Sequence, residues 1–238
     1  MNKELSVIVP AYNEEAKIAA TLENIAAYLR TKGYRFEVVV VNDGSTDGTV
    51  SQVHSISQKF PEILLIDRRQ NVGKGRTVKE GMAAARYEYC LFMDADDSTS
   101  IVEWDKFEPL FEAGQKVVVA SRHLQGSRIL HPQPWTRRFL GGGYRVICRG
   151  LLGLKASDFN CGFKAYRREV AQSIYPGVQM TDWTFDVEVF CALKRKGIAF
   201  AEVPVAWSHS SKKSGLPPVR TAFRSLQSLA RLQRLYGS

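Results

Sequence analysis

No run of eighteen or more apolar residues occurs anywhere in the 238-residue chain, so the sequence contains no expected transmembrane helix. The first apolar stretch, Leu5 to Pro10, is too short for a signal peptide and lacks a small-residue cleavage site, which predicts a cytoplasmic protein. Cysteine is scarce too. Cys90, Cys148, Cys161 and Cys191 have no CxxC spacing, so free buried thiols are expected rather than a disulfide framework. The four histidines are scattered with no HExxH, which excludes that zinc motif. Acidic residues are missing from two long stretches, between Glu112 and Asp158 and again after Glu202. The first stretch carries Lys116, Arg122, Arg128, Arg137, Arg138, Arg145, Arg149 and Lys155, and the second Lys212, Lys213, Arg220, Arg224, Arg231 and Arg234. The net charge of +9 is therefore concentrated in two basic blocks, which implies an anionic partner: nucleic acid, a phosphorylated substrate or an anionic membrane surface. Few aromatics interleave with these blocks and no recognised module is present, which argues against nucleic acid.

At 45% hydrophobic residues, the chain can bury a sizeable core. Leu5 to Val9, Phe36 to Val41, Glu62 to Ile66, Tyr89 to Met93 and Val117 to Ala120 read as strands. They are continuously apolar rather than alternating, as strands covered by helices on both faces are. Ile18, Leu22, Ile25 and Leu29 mark one stripe of a helix, and further helices are expected near Asp47 to Lys59, Gly75 to Arg86 and Val102 to Glu112. Strand and helix in succession predict an α/β fold with a mostly parallel, Rossmann-like central sheet flanked by helices. In the second half, Pro132, Pro134 and Gly141 to Gly143 bracket an expected loop, followed by helical spacing over Tyr144 to Leu154. A helix over Phe185 to Lys196, a strand near Phe200 to Val205 and a final helix from Pro217-Pro218 complete the pattern. Residues 1–212 are expected to form the main domain, with 213–238 a basic amphipathic terminal helix; it and Tyr144 to Leu154 both pair apolar faces with arginines, as membrane-surface helices do.

In open α/β sheets, ligands bind beyond the carboxyl ends of the strands. Three polar clusters follow strands here: PAYNE (Pro10 to Glu14), NDGSTD (Asn42 to Asp47) and DADD (Asp94 to Asp97). Asp94 and Asp96 lie just past a buried strand, and closely spaced carboxylates with hard oxygens suit Mg²⁺ or Mn²⁺. Such an ion could bridge a diphosphate. Gly73-Lys74-Gly75 precedes a helix and reads either as a simple turn or as an anion contact; the Walker A spacing is absent.

PAYNE, NDGSTD, NVGKG, DADD, Ser121-Arg122, DFNCGFK (Asp158 to Lys164) and WTFDVE (Trp183 to Glu188) fall in an order that resembles the inverting family-2 glycosyltransferases, over about residues 5 to 212. The pattern is most similar to the polyprenyl- and dolichyl-phosphate sugar transferases. Within these, CGFK and W-x-FDVE resemble the dolichyl-phosphate β-glucosyltransferases more than the mannose synthases. The resemblance implies a GT-A type fold and a metal-dependent hexosyltransferase using Mg²⁺ or Mn²⁺ held by Asp94 and Asp96. Its implied partners are a nucleoside-diphosphate sugar, with UDP-glucose preferred, and a polyprenyl phosphate; the protein would be peripheral at the inner face of a membrane. GDP-mannose, a soluble acceptor or a non-catalytic nucleotide-sugar binding module are the alternatives. Pro10, Tyr12, Glu14, Asp43, Lys74, Asp94 and Lys212 would bind the donor, and Ser121, Arg122, Arg137 and Arg138 would face the acceptor phosphate. Asp96, Asp158 and Asp186 are the implied catalytic carboxylates, with Trp183 and Glu188 shaping the sugar and acceptor end. In mannose synthases the residue after the second aspartate is apolar and then glutamine; here Asp97 and Ser98 stand there, which leaves a third metal ligand open. A phosphate acceptor, with a second pKa of about 6, is already a nucleophile, so Asp158 or Asp186 would serve as base only for an alcohol.

Overall fold

The computed structural model describes residues 3–131, 135–209 and 218–237. Its first five strands, β1 (Glu4–Ala11), β2 (Arg35–Asp43), β3 (Ile63–Arg68), β4 (Tyr89–Met93) and β5 (Val117–Ser121), occupy the five apolar runs of the sequence. Their neighbouring residues serve opposite layers. Val7, Val9, Val38, Val40, Leu91 and Met93 pack with Leu22, Ile25 and Leu29 of α1 (Ile18–Thr31), and Trp104, Phe107 and Phe111 complete that layer. Ile8, Cys90, Phe92, Val117 and Val119 face the other way, toward Val78 and Met82 of α3 (Lys74–Ala84) and toward Phe185, Val189 and Phe190. Burial on both faces is why these strands are continuously apolar. α2 (Thr49–Lys59) connects β2 to β3. The helix expected over Val102 to Glu112 is two pieces, a 3₁₀ turn over Ile101–Lys106 and a short α4 (Glu108–Glu112). Pro109, which lacks an amide hydrogen, fits the first turn of a new helix and not the middle of a long one.

β6 (Arg128–His131) and β9 (Ala206–Ser208) make a small separate parallel pair. α5 (Trp135–Leu152) corrects the expected loop at Gly141 to Gly143: the helix runs through all three glycines. Each glycine costs about 1 kcal/mol in a helix interior, and the burial of Cys148 and Leu152 of the same helix in the second core layer works against that cost. β7 (Phe163–Arg167) and α6 (Arg168–Ile174) were not expected; α7 (Phe185–Arg195) and β8 (Ala201–Pro204) lie close to their expected positions. The sheet order is β3-β2-β1-β4-β7-β5-β8, parallel except for β7, which runs antiparallel to both β4 and β5. All four cysteines are free and buried. The terminal helix α8 (Pro218–Tyr236) packs against α5 and α7 and buries Leu229 and Leu232 in the second core layer. Among the described residues, no helix is long and apolar enough to cross a membrane.

Candidate active site

The carboxyl ends of β1, β2 and β4 lie side by side, because β1 pairs with both of the others in parallel. The loops that leave them are tied together. Asn13, in the left-handed region at φ 53°, donates its amide to Ser45 Oγ at 2.9 Å and accepts the Thr46 amide on Oδ1 at 2.8 Å. The Glu14 amide donates to Thr49 Oγ1 at 2.7 Å, and Glu15 accepts the Gly48 amide at 2.9 Å. PAYNE and NDGSTD are thus one connected rim. On it Tyr12 is 45% exposed, with Pro10 and Glu14 half-buried beside it. Asp43 is buried and turned along the rim, where its carboxylate accepts the amides of Val72 and Gly73, each at 2.9 Å, and Arg68 Nη1 at 3.1 Å. Asp43 therefore sets the position of the Gly73-Lys74-Gly75 turn.

That turn delivers Lys74 to Asp94: Nζ lies 2.6 Å from Oδ1, and both side chains are about one-third exposed. Desolvation opposes the Lys74 charge, but Asp94, Asp186 and Asp96 outweigh it and raise its pKa. The antiparallel entry of β7 supports Asp94 from beneath. Register sets Met93 opposite Phe163, and the Asp94 amide donates to the Gly162 carbonyl at 3.0 Å. A β-carbon on Gly162 would lie 1.9 Å from Asp94 Oδ2, so only glycine admits the carboxylate in this position. Asp96 is half-buried, with Oδ1 accepting the Ser98 amide at 3.1 Å. Asp97, at φ 54°, turns back toward α1, where Asn24 donates to its Oδ2 at 3.4 Å. Burial, with Asp96 adding to it, raises the Asp97 pKa. No group of three or more His, Cys, Asp or Glu side chains converges as a metal cage among the described residues. Two partly exposed carboxylates, Asp94 and Asp96, still suit a hard dication that takes its other ligands from phosphate and water, as Mg²⁺ commonly does.

A second cluster faces the basic half of the chain. Arg122 grips Asp158 with two parallel bonds, Nε–Oδ2 at 2.6 Å and Nη2–Oδ1 at 2.8 Å, and donates its amide to Oδ2 at 3.1 Å. Burial pushes the Asp158 pKa up, but Arg122 overcomes it and holds the carboxyl at about 2. A carboxylate so weakly basic is poorly matched to proton abstraction near neutral pH. The Arg122 guanidinium also lies 5.2 Å from the Trp207 ring centre. Arg145 contacts the ring of His123 beside it. Burial, with Arg122 and Arg149 adding to it, lowers the Arg145 pKa, as expected of a site with surplus positive charge. Ser121 is fully buried at the base of this turn, bonded to Ser157 Oγ at 2.5 Å. The side chains of Arg137 and Arg138, and the whole of Lys212, lie outside the described residues.

Asp186 is 3% exposed and paired with Lys164, itself 1% exposed, at 2.6 Å. Burial raises its pKa against the pull of Lys164 and Lys74. Lys164 also donates to the Cys161 carbonyl at 2.6 Å, so the pair fixes the loop that carries Gly162. Trp183 lies 5.1 Å from the Tyr144 ring centre, and its carbonyl accepts Asn160 Nδ2 at 3.2 Å. Glu188 is fully buried and accepts the amides of Gln179 and Met180. Lys164 and Gly162 were not singled out from the sequence, although both lie inside the quoted DFNCGFK segment.

The family model described as Glycosyl transferase family 2 matches residues 6–175. Dolichyl-phosphate beta-glucosyltransferase of Dictyostelium discoideum is 32% identical over 99% of this chain and 75% of its own length. A protein of the same name from Trichomonas vaginalis is 36% identical, covering 84% of this chain and 63% of its own length. The human enzyme of that name is 30% identical over 87% and 68%. The chain thus spans between 63% and 75% of these relatives. Among solved structures, glucosyl-3-phosphoglycerate synthase from Mycobacterium tuberculosis, with Mn²⁺, UDP-glucose and phosphoglyceric acid bound, superposes with TM-score 0.66 at 21% identity, over 99% of this chain and 80% of that one. Mannosyl-3-phosphoglycerate synthase from Rubrobacter xylanophilus gives TM-score 0.73 at 18% identity, over 98% and 74%. The sheet with its single reversed strand is the GT-A fold, and the chain belongs to glycosyl transferase family 2.

Proposed function

We propose that the chain transfers glucose from UDP-glucose to a dolichyl or related polyprenyl phosphate, inverting the anomeric carbon. The observation that carries the phosphate acceptor is the surplus positive charge of Arg122, Arg145 and Arg149, beside which the two implied carboxylate bases are both held in ion pairs. Asp158 is held at about 2 by Arg122, and Asp186 is sealed in its pair with Lys164. An alcohol would need a base; a phosphate needs only cations to position it. The preference for glucose rests on relatives at 30–36% identity that bear the glucosyltransferase name. A phosphate oxygen would form the new bond to the anomeric carbon as the bond to the diphosphate oxygen breaks, with the electron pair leaving on UDP. Pro10, Tyr12 and Glu14 would line the nucleotide side, with Asp43 acting through the Gly73–Gly75 turn. Lys74 would meet the diphosphate, joined by Lys212 from the basic tail. Asp94 and Asp96 would hold Mg²⁺ or Mn²⁺, whose positive charge would favour the departing diphosphate. Arg122, Arg137, Arg138 and Ser121 would build the acceptor side, anchored by Asp158.

Peripheral membrane contact at the cytoplasmic leaflet belongs to the same reading. On α5, Val146 is 69%, Ile147 41% and Leu151 42% exposed, opposite the buried Cys148 and Leu152 and flanked by exposed Arg149. Exposed aliphatic residues beside arginine suit an anionic bilayer surface. The test is incubation of the protein with Mn²⁺ or Mg²⁺, a panel of UDP- and GDP-sugars and a short polyprenyl phosphate, scoring lipid-linked sugar. Product from UDP-glucose is expected. Product only from GDP-mannose overturns the donor, and product only on a soluble phosphorylated acceptor overturns the lipid.

A further inference from the structure

Among its described side chains, α8 carries two half-buried hydroxyls, one on each side of the buried Leu232: Ser228 and Tyr236, at i−4 and i+4. Each meets a carboxylate that already holds the backbone before or at the start of α7. Asp182 accepts the Thr184 amide on Oδ1 at 2.9 Å, and Ser228 donates to its Oδ2 at 3.2 Å. Glu188 accepts the Gln179 and Met180 amides on Oε2 at 2.9 and 2.7 Å, and Tyr236 donates to its Oε1 at 3.2 Å. Arg231 adds a contact to Gln179 Oε1 at 3.3 Å, and Arg195 stacks 4.7 Å from the Tyr236 ring centre. Both carboxylates thus spend one oxygen on the 179–184 segment and the other on α8.

That segment bears directly on the turn carrying Lys74. The Gly75 amide donates to the Thr181 carbonyl at 2.8 Å. A β-carbon on Gly75 would lie 2.3 Å from Met180 O, and one on Gly73 2.4 Å from Thr181 O. With no side chain between them, the two backbones must move together. Asp43 holds the opposite side of the same turn. We infer that α8 is a positioning element of the donor site: through Asp182 and Glu188 it presses residues 179–182 onto Gly73–Gly75 and so sets where Lys74 meets the diphosphate. The inference rests on the donor reading above, and it gives the terminal helix a role separate from any membrane contact.

The test uses the full chain with Ser228→Ala and Tyr236→Phe combined, which removes both hydroxyls and keeps the buried leucines. In the ligand-free protein, the Gly75 amide should exchange with solvent roughly tenfold faster, from two lost hydrogen bonds, while the Val7 to Val9 amides hold their rates. KM for UDP-glucose should rise several-fold with kcat at saturating donor within about twofold, since only the placement of Lys74 is loosened. Ser228→Thr with Tyr236 intact, which keeps both hydroxyls, should retain the parent KM. An unchanged Gly75 rate, an equal acceleration across the whole sheet, or an unchanged KM in an active parent protein overturns the inference. A parent protein with no UDP-glucose turnover refutes the donor reading instead, and the exchange rates still decide whether α8 holds the turn.

Discussion

Replacing Gly162 by alanine puts a methyl carbon 1.9 Å from Asp94 Oδ2. An ordinary carbon–oxygen contact is about 3.3 Å, so the overlap is about 1.4 Å and one group must yield. The glycine backbone is fixed by its carbonyl bond to the Asp94 amide and by the β4–β7 ladder, whereas Asp94 is partly exposed and can swing outward. Swinging outward breaks the 2.6 Å contact with Lys74 and displaces the carboxylate from the donor edge. A misplacement of about 1 Å in a positioned group costs about a hundredfold in rate. We therefore expect kcat/KM for glucosyl transfer to fall about a hundredfold in Gly162→Ala. Stability should change by about 1 kcal/mol, or about 2–4 °C in Tm by circular dichroism, because the displaced group moves toward solvent. Asp94→Asn is the comparator and should lose activity to a similar degree. Transfer by Gly162→Ala within threefold of the parent would refute this account of the Gly162 cradle.

Asp158→Asn leaves the Arg122 guanidinium buried without its carboxylate and should destabilise the fold by about 3–5 kcal/mol, read from the urea midpoint. The folded pKa of Asp158 is depressed to about 2, so its stabilisation is present above the unfolded carboxyl pKa of about 4 and is lost as pH falls through about 2. The parent midpoint should therefore drop between pH 4 and pH 2, by more than the midpoint of a variant lacking this carboxylate. Asp96→Asn should lower transfer by about two orders of magnitude while raising the Mn²⁺ concentration needed for half-activity, measured by metal titration. Val146→Asp with Leu151→Asp should abolish flotation with anionic liposomes at low salt. Their exposure predicts a stability change within about 0.5 kcal/mol, checked by thermal melting.

The donor half was legible because its signals are local. Runs such as Phe36 to Val41 are buried on both faces, and each ends in a polar cluster whose place at the sheet edge follows from parallel pairing. β7 was missed because FKAYR contains two charges in five residues, and its Lys164 is buried only by virtue of Asp186, twenty-two residues on. No window around Lys164 carries that information. The same holds for Asp43: its partners Val72 and Gly73 lie about thirty residues away, so the sequence marks a carboxylate after a strand but not the turn it holds. At Gly141 to Gly143 local preference points to a loop, and the packing of α5 through Cys148 and Leu152 prevails. Asp94 and Asp96 were readable as a pair; the cradle at Gly162 was not, because it depends on the reversed strand.

The reversed strand also has a consequence for how the molecule could be altered. β5 ends at Ser121 and β7 begins at Phe163, and the two are antiparallel neighbours in the sheet, so residues 122–162 leave and return at one edge. That excursion carries Arg122, Asp158, Gly162 and α5, yet both of its ends are anchored in adjacent strands. It is a cassette with fixed ports. Exchanging its interior, between Arg122 and Asp158, for the matching stretch of another family member would leave every strand pairing of the sheet in register. Such an exchange would have to keep the face of α5 that meets α8, because α8 also bears on the segment that holds the Lys74 turn.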